Sequence, residues 1–135
     1  MRVVSRSAIA LMLLVAACNL GHQPQDFPTA MGPAGVHVAV RVRGETSDRV
    51  GELYVADSIG VMVRGERLMR VTWPSVEAMD VLNLGSEYDI AFGETVSAAK
   101  RDRLAIVSRF PQGLSGALLQ RVLSLIAQSA VDSLR

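Results

Sequence analysis

The sequence predicts an α+β domain: a strongly curved antiparallel β-meander or small barrel with a C-terminal amphipathic helix packed on it. Three observations lead there. Apolar and polar residues alternate in short runs between Val36 and Trp73, the period-two pattern of half-buried strands. Glycines and aspartates separate those runs at Gly44, Asp48, Asp57, Gly60 and Gly65. From Ser115 onward the apolar spacing changes to three and four residues, the period of a helix with one buried face. Roughly a hundred residues follow the N-terminal segments, enough for one hydrophobic core and hardly two.

The N-terminus is organised differently. Arg2 and Arg6 precede an apolar run from Ala8 to Ala17 that stops at the only cysteine, Cys18. A membrane-spanning helix needs about 20 apolar residues, so the run is short for one and residues 1–17 read as a secretory signal. Its end, Leu14-Val15-Ala16-Ala17-Cys18, resembles the lipobox of bacterial lipoproteins: an aliphatic residue, two small ones, then cysteine. The resemblance implies a thioether-linked diacylglyceryl group on Cys18, cleavage after Ala17 and acylation, as with palmitate, of the new amino group. Each buried CH₂ contributes about 0.8 kcal/mol, so several chains hold durably where a single chain is marginal. Asn19 rather than aspartate follows Cys18, which by resemblance to Gram-negative lipoproteins implies the outer membrane, facing the periplasm. A cleaved signal with an unmodified cysteine, or a short anchor helix, are the plainer alternatives.

Removal of residues 1–17 takes Arg2 and Arg6 from the 14 basic residues and no acid, leaving 12 against 13 acidic ones. A near-neutral mature chain lacks the basic excess that marks nucleic-acid binding. With Cys18 carrying lipid, no thiol remains for a disulfide or a cysteine metal site.

Residues 18–35 comprise the lipidated cysteine and a tether containing Gly21, Pro24, Pro28, Gly32, Pro33 and Gly35. A single small domain then occupies residues 36–135. Val36, Val38, Val40 and Val42 alternate with His37, Ala39, Arg41 and Arg43 in a first strand. A second strand runs from Val50 to Ala56. Val61–Arg64 and Leu68–Trp73 form a hairpin around Gly65-Glu66, whose glycine suits a positive φ angle. Pro74 stops the fourth strand; Ser75 either caps a short helical turn through Ala78 or the chain bends into a fifth strand near Met79–Leu84.

The stretch from Val36 to Leu84, with Gly44, Gly51-Glu52-Leu53, the Asp57 turn and Trp73-Pro74-Ser75-Val76, resembles the bent sheet of Sm-like or other SH3-type barrels. It is similarly close to a bacterial pleckstrin-homology-like barrel, which a helix plugs. Neither resemblance carries functional residues across.

Further on, Tyr88, Ile90 and Phe92 alternate in a possible short strand at 87–92. Ser97 can cap a helix through Asp102, and the branched residues of Leu104–Arg109 favour a strand. Phe110-Pro111-Gln112-Gly113 interrupts the chain. The last helix runs from Ser115 to about Asp132, with Leu119, Val122, Leu123, Ile126 and Ala130 on its apolar side and Gln120, Arg121, Ser124 and Gln128 opposite.

Candidate sites are few. Ser97-Ala98-Ala99-Lys100 matches S-x-x-K, in which a neutral amine one helical turn away accepts the serine proton. No S-D-N or K-T-G follows, and a capped helix accounts for the same residues. His22 and His37 lack metal-ligand spacing, and no cofactor is implied. Glu77 with Asp80, and Glu87 with Asp89, are acid pairs of the kind glycoside cleavage uses, but such pairs are also ordinary on surfaces. The strongest set is Arg41, Arg43, Arg64, Arg67 and Arg70, which adjacent strands can bring to one outer face bordered by Trp73. Such a face binds an anionic envelope component or an acidic protein partner; the plainer account is a solvated face that discourages edge pairing, with Glu52 and Glu66 offsetting part of its charge. The expected function is a membrane-anchored, non-catalytic binding or scaffolding module. Its rivals are a periplasmic serine acyl-transfer enzyme using Ser97 and Lys100, and a subunit of an envelope complex joined through the last helix.

Overall fold

A computed structural model describes residues 34–134. Cys18, the signal segment and the tether up to residue 33 lie outside the described residues. The chain forms β1 (His37–Val42), β2 (Arg49–Ala56), β3 (Gly60–Arg64) and β4 (Leu68–Thr72) in succession. A 3₁₀ turn at Trp73–Ser75 leads into β5 (Val76–Val81). After a second 3₁₀ turn at Ser86–Tyr88 come α1 (Ala98–Val107), α2 (Gly116–Leu125) and a short β6 (Asp132–Leu134). The result is α+β: one six-stranded mixed sheet in the order β5-β1-β2-β3-β4-β6, with two helices, and the sheet does not close. All pairs are antiparallel except β4 with β6.

The strands form where their side chains alternate. In β1, Val38, Val40 and Val42 are buried and His37 faces solvent. The central strands are buried on both faces, so β2 carries Leu53, Tyr54, Val55 and Ala56 in unbroken burial, with a bulge between Leu53 and Val55. Glycine is required at Gly60, which pairs with Thr72 so closely that a Cβ would strike the Val71 carbonyl oxygen. Gly65 differs from expectation: positive φ is found at Gly44, Gly93 and Gly113 instead, and a Cβ at Gly65 would sit 2.8 Å from the Val50 oxygen. Close approach, not handedness, keeps that position small.

Two apolar clusters share the sheet. One unites the valines of β1 with Leu53, Val61, Val63, Val71, Val76, Met79 and Val81, and is covered by Leu104 and Val107 of α1. The other joins Tyr54, Val55, Met62 and Leu68 to Val122 and Leu123 of α2. β2, β3 and β4 therefore contribute to both clusters, whereas β1 and β5 contribute to the first alone.

Four expectations are corrected. The strand expected at Leu104–Arg109 is the end of α1, because Leu104 and Val107 lie one turn apart and enter the core together, which outweighs the strand preference of Ile106 and Val107. The last helix stops at Leu125 rather than near Asp132; Ala127 takes a φ of 52° and the chain continues into β6. Residues 87–92 hold a 3₁₀ turn and one bridge, Ile90 with Met79, instead of a strand. Of the two readings after Pro74 the fifth strand is found, but it runs from Val76 to Val81 rather than near Met79–Leu84 and begins directly after a 3₁₀ turn that ends at Ser75.

Candidate functional site

The five arginines do not converge on one bare face. Arg41, on β1, pairs with Asp48. Arg67 pairs with Asp132 of β6 at 2.5 Å, and Arg70 of β4 with Asp57 at 2.9 Å. Arg64 donates to the Gly65 carbonyl of its own hairpin. Arg43, one residue beyond β1, is exposed and donates from Nε to the Pro74 carbonyl at 3.3 Å. Three of the five thus have carboxylate partners, and among the described residues Arg43 and Arg64 have none.

Trp73 shares a cleft with Arg43. Its indole Nε1–H donates to the Asp57 carbonyl at 2.8 Å, which fixes the ring at the sheet end, and its body packs on the first apolar cluster. The cleft, of about 240 Å³, is walled by Trp73, Val76 and Val96 and carries Arg43, Glu94 and Arg101. Arg101, in the first turns of α1, donates to the Ser58 carbonyl at 3.5 Å and also lacks a carboxylate partner among the described residues. Glu94 is committed elsewhere: it pairs with Lys100 at 2.8 Å and accepts from the Ala91 N–H at 2.9 Å. The Lys100 hydrogen bond, followed by that of Ala91, holds its carboxyl below the usual glutamate range, so it stays charged and its charge is met by Lys100.

Beside the cleft, Asp57 organises the turn between β2 and β3. Burial alone would raise its pKa, but the N–H groups of Ile59 and Gly60 together with Arg70 outweigh that and hold the carboxyl below its ordinary value.

Ser97 and Lys100 are close in sequence and divided in chemistry. The Ser97 hydroxyl caps α1 by accepting from the Lys100 backbone N–H at 3.2 Å. The Lys100 ammonium points elsewhere, donating to the Asp89 carbonyl at 2.5 Å and to Glu94. Of the acid pairs, Asp89 accepts from the Val81 N–H at 2.7 Å, while Glu77 and Asp80 lie on β5. His37 is exposed on β1, and among the described residues no group of three or more potential metal-ligating side chains occurs.

Sequence reasoning misses Arg101 and Gln128. Arg101 sits on a helix whose approach to the Trp73 turn is a tertiary fact with no local signal. Gln128, expected on a solvated helix face, is buried beyond the helix end and binds both backbone groups of Leu68, accepting from its N–H and donating to its carbonyl at 2.8 Å each. Comparison with protein-family models, curated proteins and solved structures finds no significant match.

Proposed function

We propose that the chain is an envelope lipoprotein, fixed through Cys18 to the outer membrane on its periplasmic side, whose folded part is a non-catalytic binding module for an anionic partner. The observation that carries the binding role is the meeting of Arg43 and Trp73 in one cleft with a second guanidinium, Arg101, neither cation being neutralised by a carboxylate among the described residues. A guanidinium without a carboxylate retains its fork of donors for an incoming anion. The location rests on the order of Arg2, Arg6, the apolar run and Val15-Ala16-Ala17-Cys18. Absence of catalysis is supported by the separate engagements of Ser97 and Lys100, since an ammonium held by Glu94 and the Asp89 carbonyl does not serve as a base for the hydroxyl.

The finer architecture belongs to the same proposal: a sheet curled toward a small barrel, with α2 laid on it. In a flat sheet β4 and β5 would lie four strand spacings apart, about 19 Å. The four Cα steps from Thr72 to Val76 reach at most about 14 Å. Bending of the sheet reconciles the two, and brings the Trp73 turn beside the end of β1, where the Arg43 N–H donates to the Ser75 carbonyl at 2.8 Å.

Two measurements test the proposal. Cells fed a tagged fatty acid should label the wild type and leave Cys18→Ser unlabelled and released from membranes. A photo-crosslinking residue at Thr95, in the cleft wall, should give adducts in intact envelopes that Arg43→Glu abolishes. Equal labelling of wild type and Cys18→Ser overturns the anchor, and adducts indifferent to Arg43→Glu overturn the binding face.

A further inference from the structure

The cleft between the Trp73 turn and α1 has a charge balance that points to a narrower class of ligand. Six of the eleven described basic residues are paired with carboxylates: Arg41, Arg49, Arg67, Arg70, Lys100 and Arg109. Arg43 and Arg101 are not, and both line this cleft. Each is steadied by one backbone carbonyl, Pro74 for Arg43 and Ser58 for Arg101, and keeps further N–H donors. The one carboxylate that lines the cleft among the described residues, Glu94, is met by Lys100. Two positive charges therefore remain beside an apolar wall of Trp73, Val76 and Val96.

Resting on the binding role proposed above, we infer that this cleft takes a phosphate monoester with an apolar or aromatic body. A carboxylate has two oxygens and is satisfied by a single guanidinium fork. A phosphate monoester brings three terminal oxygens and nearly two negative charges, and so accepts from both forks at once. Its ester substituent lies against Trp73 and the two valines, and the open cleft of about 240 Å³ holds the part of that body next to the phosphate. The same chemistry is presented by a soluble phosphate ester and by the headgroup of a phosphatidic-acid-type lipid.

Trp73 is the only tryptophan in the chain, so all tryptophan emission arises from the wall of this cleft. The full chain carrying Cys18→Ser, which removes the acyl anchor, is titrated with phenyl phosphate, with benzoate, and with phosphatidylcholine vesicles with and without phosphatidic acid. Saturable change in Trp73 emission with phenyl phosphate is expected, and loss of one fork in Arg43→Gln or Arg101→Gln should weaken it about tenfold or more. Arg103→Gln, an exposed change on the same helix outside the cleft, should leave it unchanged. Circular dichroism of each variant establishes that it is folded. Saturation by phosphatidic-acid vesicles but not by phenyl phosphate supports the site with a lipid as its source. Saturation by benzoate without response to either phosphate overturns the phosphate assignment and leaves the anion-binding role standing. No response to any of the three anionic probes, or equal weakening by Arg103→Gln, overturns the inference; the Thr95 adducts then decide separately whether the binding role also falls.

Discussion

Gln128 shows how one side chain extends a sheet. Its amide offers an acceptor and a donor in the spacing of a peptide group, and both meet Leu68 at the start of β4, just before Met69 pairs with Asp132 of β6. A third bond, from Nε2 to the Ala130 carbonyl at 2.6 Å, holds the chain that leads into β6. Gln128→Leu keeps the bulk and removes the partners, leaving buried Leu68 groups unsatisfied, so stability in urea should fall by about 1–3 kcal/mol. A second residue-scale prediction concerns acid. Asp57 has a carboxyl held below its unfolded value, so its contribution is fully present above the unfolded pKa and is lost as pH falls through the folded one. Asp57→Asn should therefore flatten the acid side of a stability-against-pH curve, while the wild type loses stability below the ordinary aspartate range. Curves of equal slope for the two proteins would show that the Asp57 turn does not bind its charge as the Ile59, Gly60 and Arg70 contacts require.

Among the elements, β1 to β4 are legible in the sequence because each carries its own alternation and is bounded by its own turn residues. Positions that depend on distant partners are not. β5 follows Pro74 as one reading of the sequence allowed, but its pairing with β1 is visible only once Val38 meets Val81 and Val42 meets Val76. Branched residues suggested a strand at 104–109, whereas burial of Leu104 and Val107 together makes that stretch helical. The candidate site divides in the same way. Arg43 and Trp73 are marked by their place around a strand end and a turn, while Arg101 enters only through the docking of α1. Ser97 is legible in both its possible roles, as cap and as nucleophile, and the two predict different outcomes. A lost cap in Ser97→Ala should cost about 1 kcal/mol, a drop of about 4–8 °C in Tm for a domain of this size. A serine-directed acylating probe should leave the wild type unmodified. Modification at Ser97 with no change in Tm would instead favour the acyl-transfer rival.

At the scale of the whole molecule, the shared strands predict how the protein unfolds. Neighbouring residues of β2 point into different clusters: Leu53 belongs with α1 and the valines of β1, and Tyr54 and Val55 belong with α2. β3 divides likewise, with Val61 and Val63 in one cluster and Met62 in the other. Neither helix can lose its apolar seat without exposing one face of strands whose opposite face supports the other helix. The two layers are therefore expected to melt together despite having separate side-chain contacts. Leu104→Ala, in the first cluster, and Leu68→Ala, in the second, should each cost about 2–5 kcal/mol. Each should also move a single transition that reads the same by circular dichroism and by Trp73 fluorescence, the test of two-state behaviour in a small domain. Trp73 packs on the first cluster, so it discriminates between layers. If Leu68→Ala lowered the midpoint seen by circular dichroism and left that of Trp73 unmoved, α2 and β6 would be a unit that opens independently, and the continuity of β2, β3 and β4 through both clusters would not suffice to couple them.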